Sequence, residues 1–313
     1  MKKFFLFFVS IMLILCCSSE SKPDVKNPHF SLPEKSIVIT NQANSSVSIL
    51  DASDYSIIWT WTPQKAGVPV SDYTWFSNPS EVKPVYNRKY ILMTASGGVV
   101  ALIRIADSKL MFYAYAGQNP HSAELLPDGN IAVATSTDGK LNTFVTDTVK
   151  CKGEIFKSYN LPSAHNVVWD KERQRLYSTE GSLLYSYKYN NDKKAPSLTS
   201  RELLYEIPSS ETCAHDLYPV NGEKDMLWLT TNENVWKYDV LKNEITKAYP
   251  FYGVKSVSDS PDGVLMLYPV TEWWSDGLIG GTGKKLFSIS GAKIYKGRWM
   301  KDNTFSYPVN HNI

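Results

Sequence analysis

The sequence predicts an all-β protein, a β-propeller built from six blades of four antiparallel strands. Three observations support this prediction: short runs rich in β-branched and aromatic residues recur along the chain, turn-forming residues separate them, and the pattern repeats every 40–50 residues. No segment after the first 16 residues has the sustained 3.6-residue apolar period of an amphipathic helix. The 9 Trp and 19 Tyr among 313 residues agree with an aromatic-rich β protein.

The first element, residues 1–16, has the features of a signal peptide. Two lysines precede the 12-residue apolar run FFLFFVSIMLIL, which is too short to span a bilayer comfortably. The run ends at Cys16 and Cys17, and the polar stretch that follows resembles the end of a bacterial lipobox. Cys17 is the expected lipidation site, because Ile14 and Cys16 then occupy the aliphatic and small-residue positions before the cleavage point.

We therefore expect a lipoprotein signal peptide over residues 1–16, a flexible linker over 17–27 and a single propeller domain over 28–313. A lipid on Cys17 would hold the domain at a bacterial membrane surface, periplasmic or on the outside of the cell, without inserting it. The alternative is an ordinary secreted protein with a coincidental cysteine pair.

The charge balance argues against a nucleic-acid partner. The leader contains two lysines and no acid, so the 33 Lys+Arg and 31 Asp+Glu of the chain become 31 of each after cleavage. A nucleic-acid binder would need clustered basic residues for its affinity.

The repeat is clearest in five segments, in which a polar residue opens a short strand, a turn follows and a second apolar strand begins. They are PSEVKPVYNRKYILMTA, PHSAELLPDGNIAVATS, SAHNVVWDKERQRLYST, CAHDLYPVNGEKDMLWL and GVKSVSDSPDGVLMLYP. The opening residues lie 40, 44, 50 and 40 positions apart, as in propeller blades. Residues 24–75 or so are expected to form a further blade, with the C-terminal KDNTFSYPVN closing the ring.

These opening residues are the candidate functional site. The innermost strand of each blade lines the central channel, so residues in one register should converge at its mouth. Three of the five histidines of the chain share this register. The candidate catalytic residues are therefore Glu81, His121, His165, His215 and Lys255. The three histidines are also candidate ligands of a divalent Mn, Zn, Ni or Fe ion, since neutral imidazoles suit these metals. His29 is a sixth candidate for this position, from the first blade. We do not expect it to join the ring of residues at the channel mouth.

Five further residues are candidate ligand-binding groups. Lys83 lies two residues after Glu81 and therefore shares its strand face, and Glu124 lies close to His121. Trp273, Trp274 and Asp276 belong to the polar segment TEWWSDGLIGGTGK. Exposed tryptophans can stack on a sugar ring, and packing between blades is the alternative for each of them.

Several stretches resemble a family of bacterial β-propeller lipoproteins of unknown function, often associated with carbohydrate-processing systems. They are EVKPVYNRKYILMTASGGVVALI, HSAELLPDGNIAVATS, AHNVVWDKERQRLYS, HDLYPV, VKSVSDSPDG and EWWSD, spread over most of the mature chain. This resemblance implies the fold and no activity. The architecture is also distantly similar to that of oligogalacturonate lyase, a propeller whose channel-mouth histidines hold a divalent metal. No motif of that lyase maps onto individual residues here.

Three functions are compatible with these features. The first is a metal-dependent lyase or epimerase for uronate sugars, in which the metal with Lys255 or Lys83 neutralises the carboxylate and a His or Lys removes the adjacent proton. The second is a non-catalytic module that binds a saccharide or another small ligand. The third is a protein–protein scaffold, which needs no histidine ring. The sequence does not separate the enzyme from the binding module.

Overall fold

The strands form six sheets that are the blades of a β-propeller, which confirms the predicted fold. The computed structural model describes residues 31–309 and 311. The predicted signal peptide, Cys17, the linker and His29 lie outside these residues. The described residues from Leu32 onward belong to one compact unit. No helix in the described part of the chain has the length and apolar character needed to cross a bilayer.

The strands are numbered in chain order, and a 3₁₀ helix at Val70–Phe76 precedes the fourth. The first twelve are β1 (Ser36–Asn41), β2 (Ser46–Asp51), β3 (Ile57–Trp61), β4 (Pro79–Val85), β5 (Tyr90–Ala95), β6 (Val99–Arg104), β7 (Leu110–Tyr115), β8 (Pro120–Leu125), β9 (Ile131–Thr135), β10 (Lys140–Phe144), β11 (Lys152–Gly153) and β12 (Ile155–Asn160). The others are β13 (Ala164–Asp170), β14 (Arg175–Glu180), β15 (Leu183–Tyr189), β16 (Leu198–Glu206), β17 (Asp216–Pro219), β18 (Met226–Thr230), β19 (Val235–Asp239), β20 (Glu244–Tyr249), β21 (Ser256–Ser260), β22 (Gly263–Leu267), β23 (Ile279–Gly280) and β24 (Ile294–Trp299).

Most blades have four antiparallel strands. From the channel outward, the strand order is β24-β1-β2-β3 in blade 1, β4-β5-β6-β7 in blade 2 and β8-β9-β10-β12 in blade 3. Blade 4 runs from β13 to β16 and blade 5 from β17 to β20. Blade 2 gains a short fifth strand because β11 pairs in parallel with β7, and blade 6 has only β21-β22-β23. Apolar side chains fill the spaces between neighbouring blades, as where Val168 and Tyr177 of blade 4 pack with Leu217 of blade 5.

The ring closes through β24, which pairs with β1 and is the innermost strand of blade 1. The expectation that residues 24–75 supply a whole blade and that KDNTFSYPVN closes the ring is therefore wrong. Pairing the last strand with the first covers the edge of β1, which would otherwise be open where the chain ends meet. The segment after β24 packs at the far end of the channel instead, where the Tyr307 hydroxyl donates to Glu124 Oε1 at 2.5 Å.

Four buried charged side chains fill the channel below its mouth. Arg298 on β24 donates from both terminal nitrogens to Asp216 on β17, each at 2.6 Å. Its Nη2 also donates to Glu81 Oε1 on β4 at 3.1 Å. Lys296 Nζ, also on β24, lies 3.0 Å from Glu81 Oε2 and 3.2 Å from Asp216 Oδ1. Burial raises the pKa of both carboxyls, but the charges of Arg298 and Lys296 outweigh this and hold each pKa below its ordinary value.

Arg298→Met should destabilise the fold strongly, because it leaves Asp216 and Glu81 with an unbalanced buried negative charge. Removing one partner of a buried ion network costs ~3–5 kcal/mol. The free energy of unfolding from urea titration measures this loss. The control is Lys242→Met, which removes the 69% exposed partner of Asp239 and should change the stability little. Similar small changes in both variants would contradict a structural role for the buried network.

Candidate ligand site at the channel mouth

The innermost strands begin with a common backbone geometry in blades 2 to 6. Two positions before the residue at the channel mouth, the backbone turns through the left-handed region, which Asn and Gly adopt most readily. The residues with this positive φ are Asn78 (53°), Asn119 (57°), Ser163 (54°), Cys213 (47°) and Gly253 (75°).

In blades 1 to 4, a β-bulge then turns one side chain into the mouth. In blade 3, Pro120 pairs with Thr135 and Ser122 with Ala134, so His121 is an extra residue between two consecutive pairs. Such bulges bend a strand and re-aim the side chain of the extra residue. The same strand position is occupied in the six blades by Tyr295, Ser80, His121, His165, His215 and Lys255.

The alignment in the sequence placed Glu81 one residue out of register. Glu81 pairs with Thr94 as Ser122 pairs with Ala134, so Ser80, not Glu81, is the residue equivalent to His121. Glu81 consequently belongs to the buried ion network and does not line the mouth. The repeated Asn-Pro dipeptide at positions 78–79 and 119–120 is the sequence signal that would have given the correct register.

Tyr295 is a mouth residue that the sequence reasoning missed. It lies on β24, outside the five segments of the detected repeat, and its position becomes visible only when β24 pairs with β1. Its hydroxyl is 3.3 Å from His121 Nδ1. Burial raises the pKa of the Tyr295 phenol, which therefore keeps its proton and can donate to this imidazole.

The mouth holds a cavity of about 330 Å³, which we call the histidine cavity. Its volume lies within the range of small-molecule sites. Its walls combine imidazoles, one ammonium group, amides and two aromatic rings. The lining residues are Gln42, Asn78, Ser96, Asn119, His121, His165, His215, Lys255, Trp273 and Tyr295.

The rings of the three histidines lie in a row, with His165 in contact with both others. The His121 and His165 rings stack with centroids 4.6 Å apart and planes 18° from parallel, and His165 meets His215 edge to face at 5.3 Å. The Ser163 carbonyl lies 2.8 Å from His165 Nδ1 and fixes that ring. The structure thus brings together the three histidines that the repeat aligned.

Lys255 completes the histidine cavity by contacting His215. Its Nζ lies 2.8 Å from His215 Nε2, and the Asn232 side-chain oxygen is also 2.8 Å from this imidazole nitrogen. His215 Nδ1 is buried without a hydrogen-bond partner. Nε2 is therefore the imidazole nitrogen of His215 that has hydrogen-bond partners.

Desolvation keeps the imidazoles neutral and weakens the hold of Lys255 on its proton. Burial lowers the pKa of His215 to about 3, with the positive charge of Lys255 as the next cause. Burial also lowers the pKa values of His121 and His165, and nearby cations add to the effect. The pKa of Lys255 falls to about 8, chiefly through burial. At neutral pH the site therefore contains neutral bases beside a weakly acidic ammonium group.

The expected metal site is not preformed. Among the described residues, no group of three or more His, Cys, Asp and Glu side chains is arranged to hold a metal ion. Imidazole lone pairs lie in the ring plane, so the stacked His121 and His165 rings do not direct them at one point. One of these rings would have to rotate before both could bind the same ion, and a shared ion remains a prediction.

The candidate ligand-binding residues are distributed between three environments. Trp273 lines the histidine cavity, is 49% exposed and donates from Nε1 to Gln42 Oε1 at 3.1 Å. Trp274 and Asp276 lie outside the wall of this cavity. The Trp274 ring packs under the ammonium group of Lys293, and Asp276 Oδ1 lies 2.6 Å from Lys285 Nζ.

Lys83 and Glu124 lie deeper in the channel than the histidine cavity. They form a buried ion pair with Nζ and Oε2 2.7 Å apart, and Lys83 also donates to the Val167 carbonyl at 2.8 Å. Both charges are thus partnered inside the channel, in reach of the C-terminal Tyr307 and not of a ligand at the mouth.

A family model described as "Family of unknown function (DUF6528)" matches residues 1–313. The chain belongs to this family. The match spans the whole propeller of this DUF6528 protein, including all of the residues that line the histidine cavity. None of the curated proteins compared with it matches.

Solved structures similar to this DUF6528 chain agree on the fold alone. A chain from the nidogen/laminin complex has a TM-score of 0.59 at 10% identity, with 85% of this chain and 98% of that chain covered. A protein of unknown function from Bacteroides caccae has a TM-score of 0.55 at 12% identity, with coverages of 86% and 99%. Hydrazine synthase from Kuenenia stuttgartiensis reaches only 0.49 at 14% identity, with coverages of 74% and 70%.

The buried histidines should make the protein sensitive to acid. Between pH of about 6.5 and about 3, the unfolded chain binds protons that the folded His215 excludes, so the free energy of unfolding should fall as the pH falls. Above this range the stability should be fully retained. Urea titrations at several pH values would measure the slope.

The matched variants for this test are the triple change His121→Asn, His165→Asn and His215→Asn, and the single change His311→Asn outside the cavity. Between pH of about 6.5 and about 4.5, above the range in which Glu81 and Asp216 titrate, the triple variant should lose most of the acid slope. The single variant should lose only a smaller part, because burial lowers the pKa of one imidazole there. An unchanged slope in the triple variant would show that these histidines are not the groups that titrate.

Proposed function

We propose that this protein binds an acidic saccharide in the histidine cavity while Cys17 tethers it to a membrane surface. The observation that carries the proposal is the charge of the cavity wall. Among the described residues, those lining the cavity include one ammonium group, Lys255, and no carboxylate. A ligand carboxylate would therefore meet a cation without a competing acid.

The protein's own acids support this selectivity for anions. Glu81, Asp216 and Glu124 are paired with Arg298, Lys296 and Lys83 below the mouth. Their negative charges are therefore balanced inside the channel. The ammonium group of Lys255 is left as the charge that a ligand at the mouth encounters first.

The rest of the wall suits sugar hydroxyl groups and a sugar ring face. Asn78, Asn119 and Ser96 offer amide and hydroxyl groups that can donate and accept. Trp273 presents a half-exposed ring whose orientation is held by Gln42. An apolar ring face with a polar edge is the usual partner of the C–H face of a sugar.

A second candidate function is catalysis at the same site. It is favoured by the 2.8 Å contact of His215 with Lys255, which would place a neutral base next to a bound carboxylate. Removal of the proton beside the carboxylate, followed by loss of the neighbouring glycosidic oxygen, would be a lyase reaction, and return of the proton to the opposite face would be epimerisation. The appearance of an unsaturated uronate during binding experiments would move the function from binding to catalysis.

Isothermal titration with uronate oligosaccharides and their neutral counterparts tests the binding proposal. Lys255→Met should weaken binding of the acidic ligands roughly ten- to hundredfold, because a hydrogen bond to a charged group is lost, and should leave neutral ligands little changed. For the wild type, affinity for acidic ligands should fall as the pH rises through about 8, where Lys255 loses its proton.

Aromatic variants and added metals complete that experiment. Trp273→Ala should weaken the binding of acidic and neutral ligands alike. Trp274→Ala is the matched control, because this residue lies outside the cavity and its loss should leave the affinities unchanged. Repeating the titrations with EDTA, Mn, Zn, Ni or Fe tests the shared-ion prediction separately. Equal affinity of the wild type and Lys255→Met for charged and neutral glycans would overturn the proposal.

The tether can be tested independently of the ligand. Cys17→Ala should leave the precursor uncleaved or release the protein from membranes, because the domain would have no acyl chain to hold it there. Membrane fractionation and intact mass measure the two results. The control is Cys16→Ala, which keeps a small residue before the cleavage point and should be processed normally. Unchanged mass and fractionation of Cys17→Ala would contradict the lipoprotein prediction.

A further inference from the structure

Lys255 differs from the two other lysines of the channel in its partner. Lys83 and Lys296 are ion-paired with carboxylates, at 2.7 Å from Glu124 and 3.0 Å from Glu81. Lys255 instead contacts a neutral imidazole, with its Nζ 2.8 Å from His215 Nε2, and it borders the open cavity. A lysine that is desolvated, unpaired with an acid and open to a ligand is the usual arrangement of an amine nucleophile.

We propose that Lys255 captures the carbonyl carbon of an acidic sugar as an imine, with His215 transferring the protons. The ligand class is a 2-oxo sugar acid, whose carbonyl lies next to its carboxylate. This inference rests on the proposed function in one respect, because the histidine cavity must admit an acidic sugar.

The step needs no further reactant. The lone pair of the neutral Lys255 amine forms a C–N bond to the carbonyl carbon, and the C=O π electrons move to oxygen, which takes up one proton from solvent, so that the product is the protonated imine. The nitrogen gives its extra proton to His215 Nε2, and this imidazolium returns it to the departing hydroxyl group. The nitrogen lone pair then forms the C=N bond as the C–O bond breaks, so one water molecule leaves for each imine formed.

The surroundings of His215 suit this proton transfer. When Nε2 carries no proton it can accept from Lys255, and when it is protonated it can donate to the Asn232 oxygen at 2.8 Å. Both partners are therefore already within hydrogen-bond distance of one nitrogen. Asn232 acts here as a positioning residue, which holds the ring while the proton moves.

The chemistry of a 2-oxo acid suits this position. Among the described residues that line the cavity, Lys255 is the one cation, so a ligand carboxylate would lie beside it. The protonated imine keeps a positive charge directly beside that carboxylate.

Reductive trapping of the full-length mature protein tests the inference. The wild type is incubated at pH 7 with pyruvate and sodium cyanoborohydride, and the modified lysines are located by peptide mass spectrometry. We expect Lys255 to be labelled several-fold faster than the exposed lysines, because its amine borders the cavity and contacts the imidazole of His215. His215→Asn should slow this labelling without moving it elsewhere.

The control variants separate a reactive site from general lysine labelling. Lys255→Arg keeps the positive charge and should abolish the fast label, whereas Lys293→Arg, at an exposed lysine above Trp274, should leave it unchanged. Lys255→Gln replaces Lys255→Arg if the arginine variant does not fold. Equal labelling of Lys255 and exposed lysines in the wild type would overturn the inference, and that measurement requires no variant.

Uronate binding distinguishes failure of this inference from failure of the proposed function. If uronates bind and Lys255 is not trapped, the nucleophile is wrong and the binding site stands. If Lys255 is trapped by pyruvate and uronates neither bind nor slow the trapping, the nucleophile stands and the acidic-saccharide proposal is wrong.

Discussion

The buried ion network in the channel is the interaction on which the rest of the structure depends. Arg298 and Lys296 enter from the last strand, β24, and reach carboxylates on blades 2 and 5. The pairing of β24 with β1 that closes the ring therefore also delivers the charges that balance Glu81 and Asp216. Without β24, the edge of β1 would be exposed, and Glu81 and Asp216 would be buried acids without their partners, which is strongly destabilising.

This network also sets the chemistry of the channel mouth. Because the acids of the channel are satisfied below, the layer above can consist of neutral imidazoles and one ammonium group. The positive charge of Lys296 beneath them is among the causes that lower the pKa values of His121, His165 and Lys255. Burial is the chief cause of the neutral imidazoles and the lowered pKa of Lys255, and the charge of Lys296 adds to it.

Much of the fold could be predicted from the sequence, because each blade repeats a strand–turn–strand pattern at a nearly constant interval. The same interval brought three histidines into one register, and the structure places them in contact. The error at Glu81 has a local cause. A β-bulge adds one residue to the strand, and spacing alone cannot show on which side of the extra residue a polar side chain falls.

By itself, the sequence determined the propeller, its six blades and the convergence of His121, His165 and His215, because these depend on a pattern that repeats in the sequence at a nearly constant interval. Only the tertiary structure decided that Tyr295 completes the mouth and that Glu81, Lys83 and Glu124 are balanced charges inside the channel. The physical reason is that these positions depend on strands far apart in sequence. Thr40 and Lys296, for example, are in hydrogen-bond contact across 256 residues, and no local pattern records that pairing.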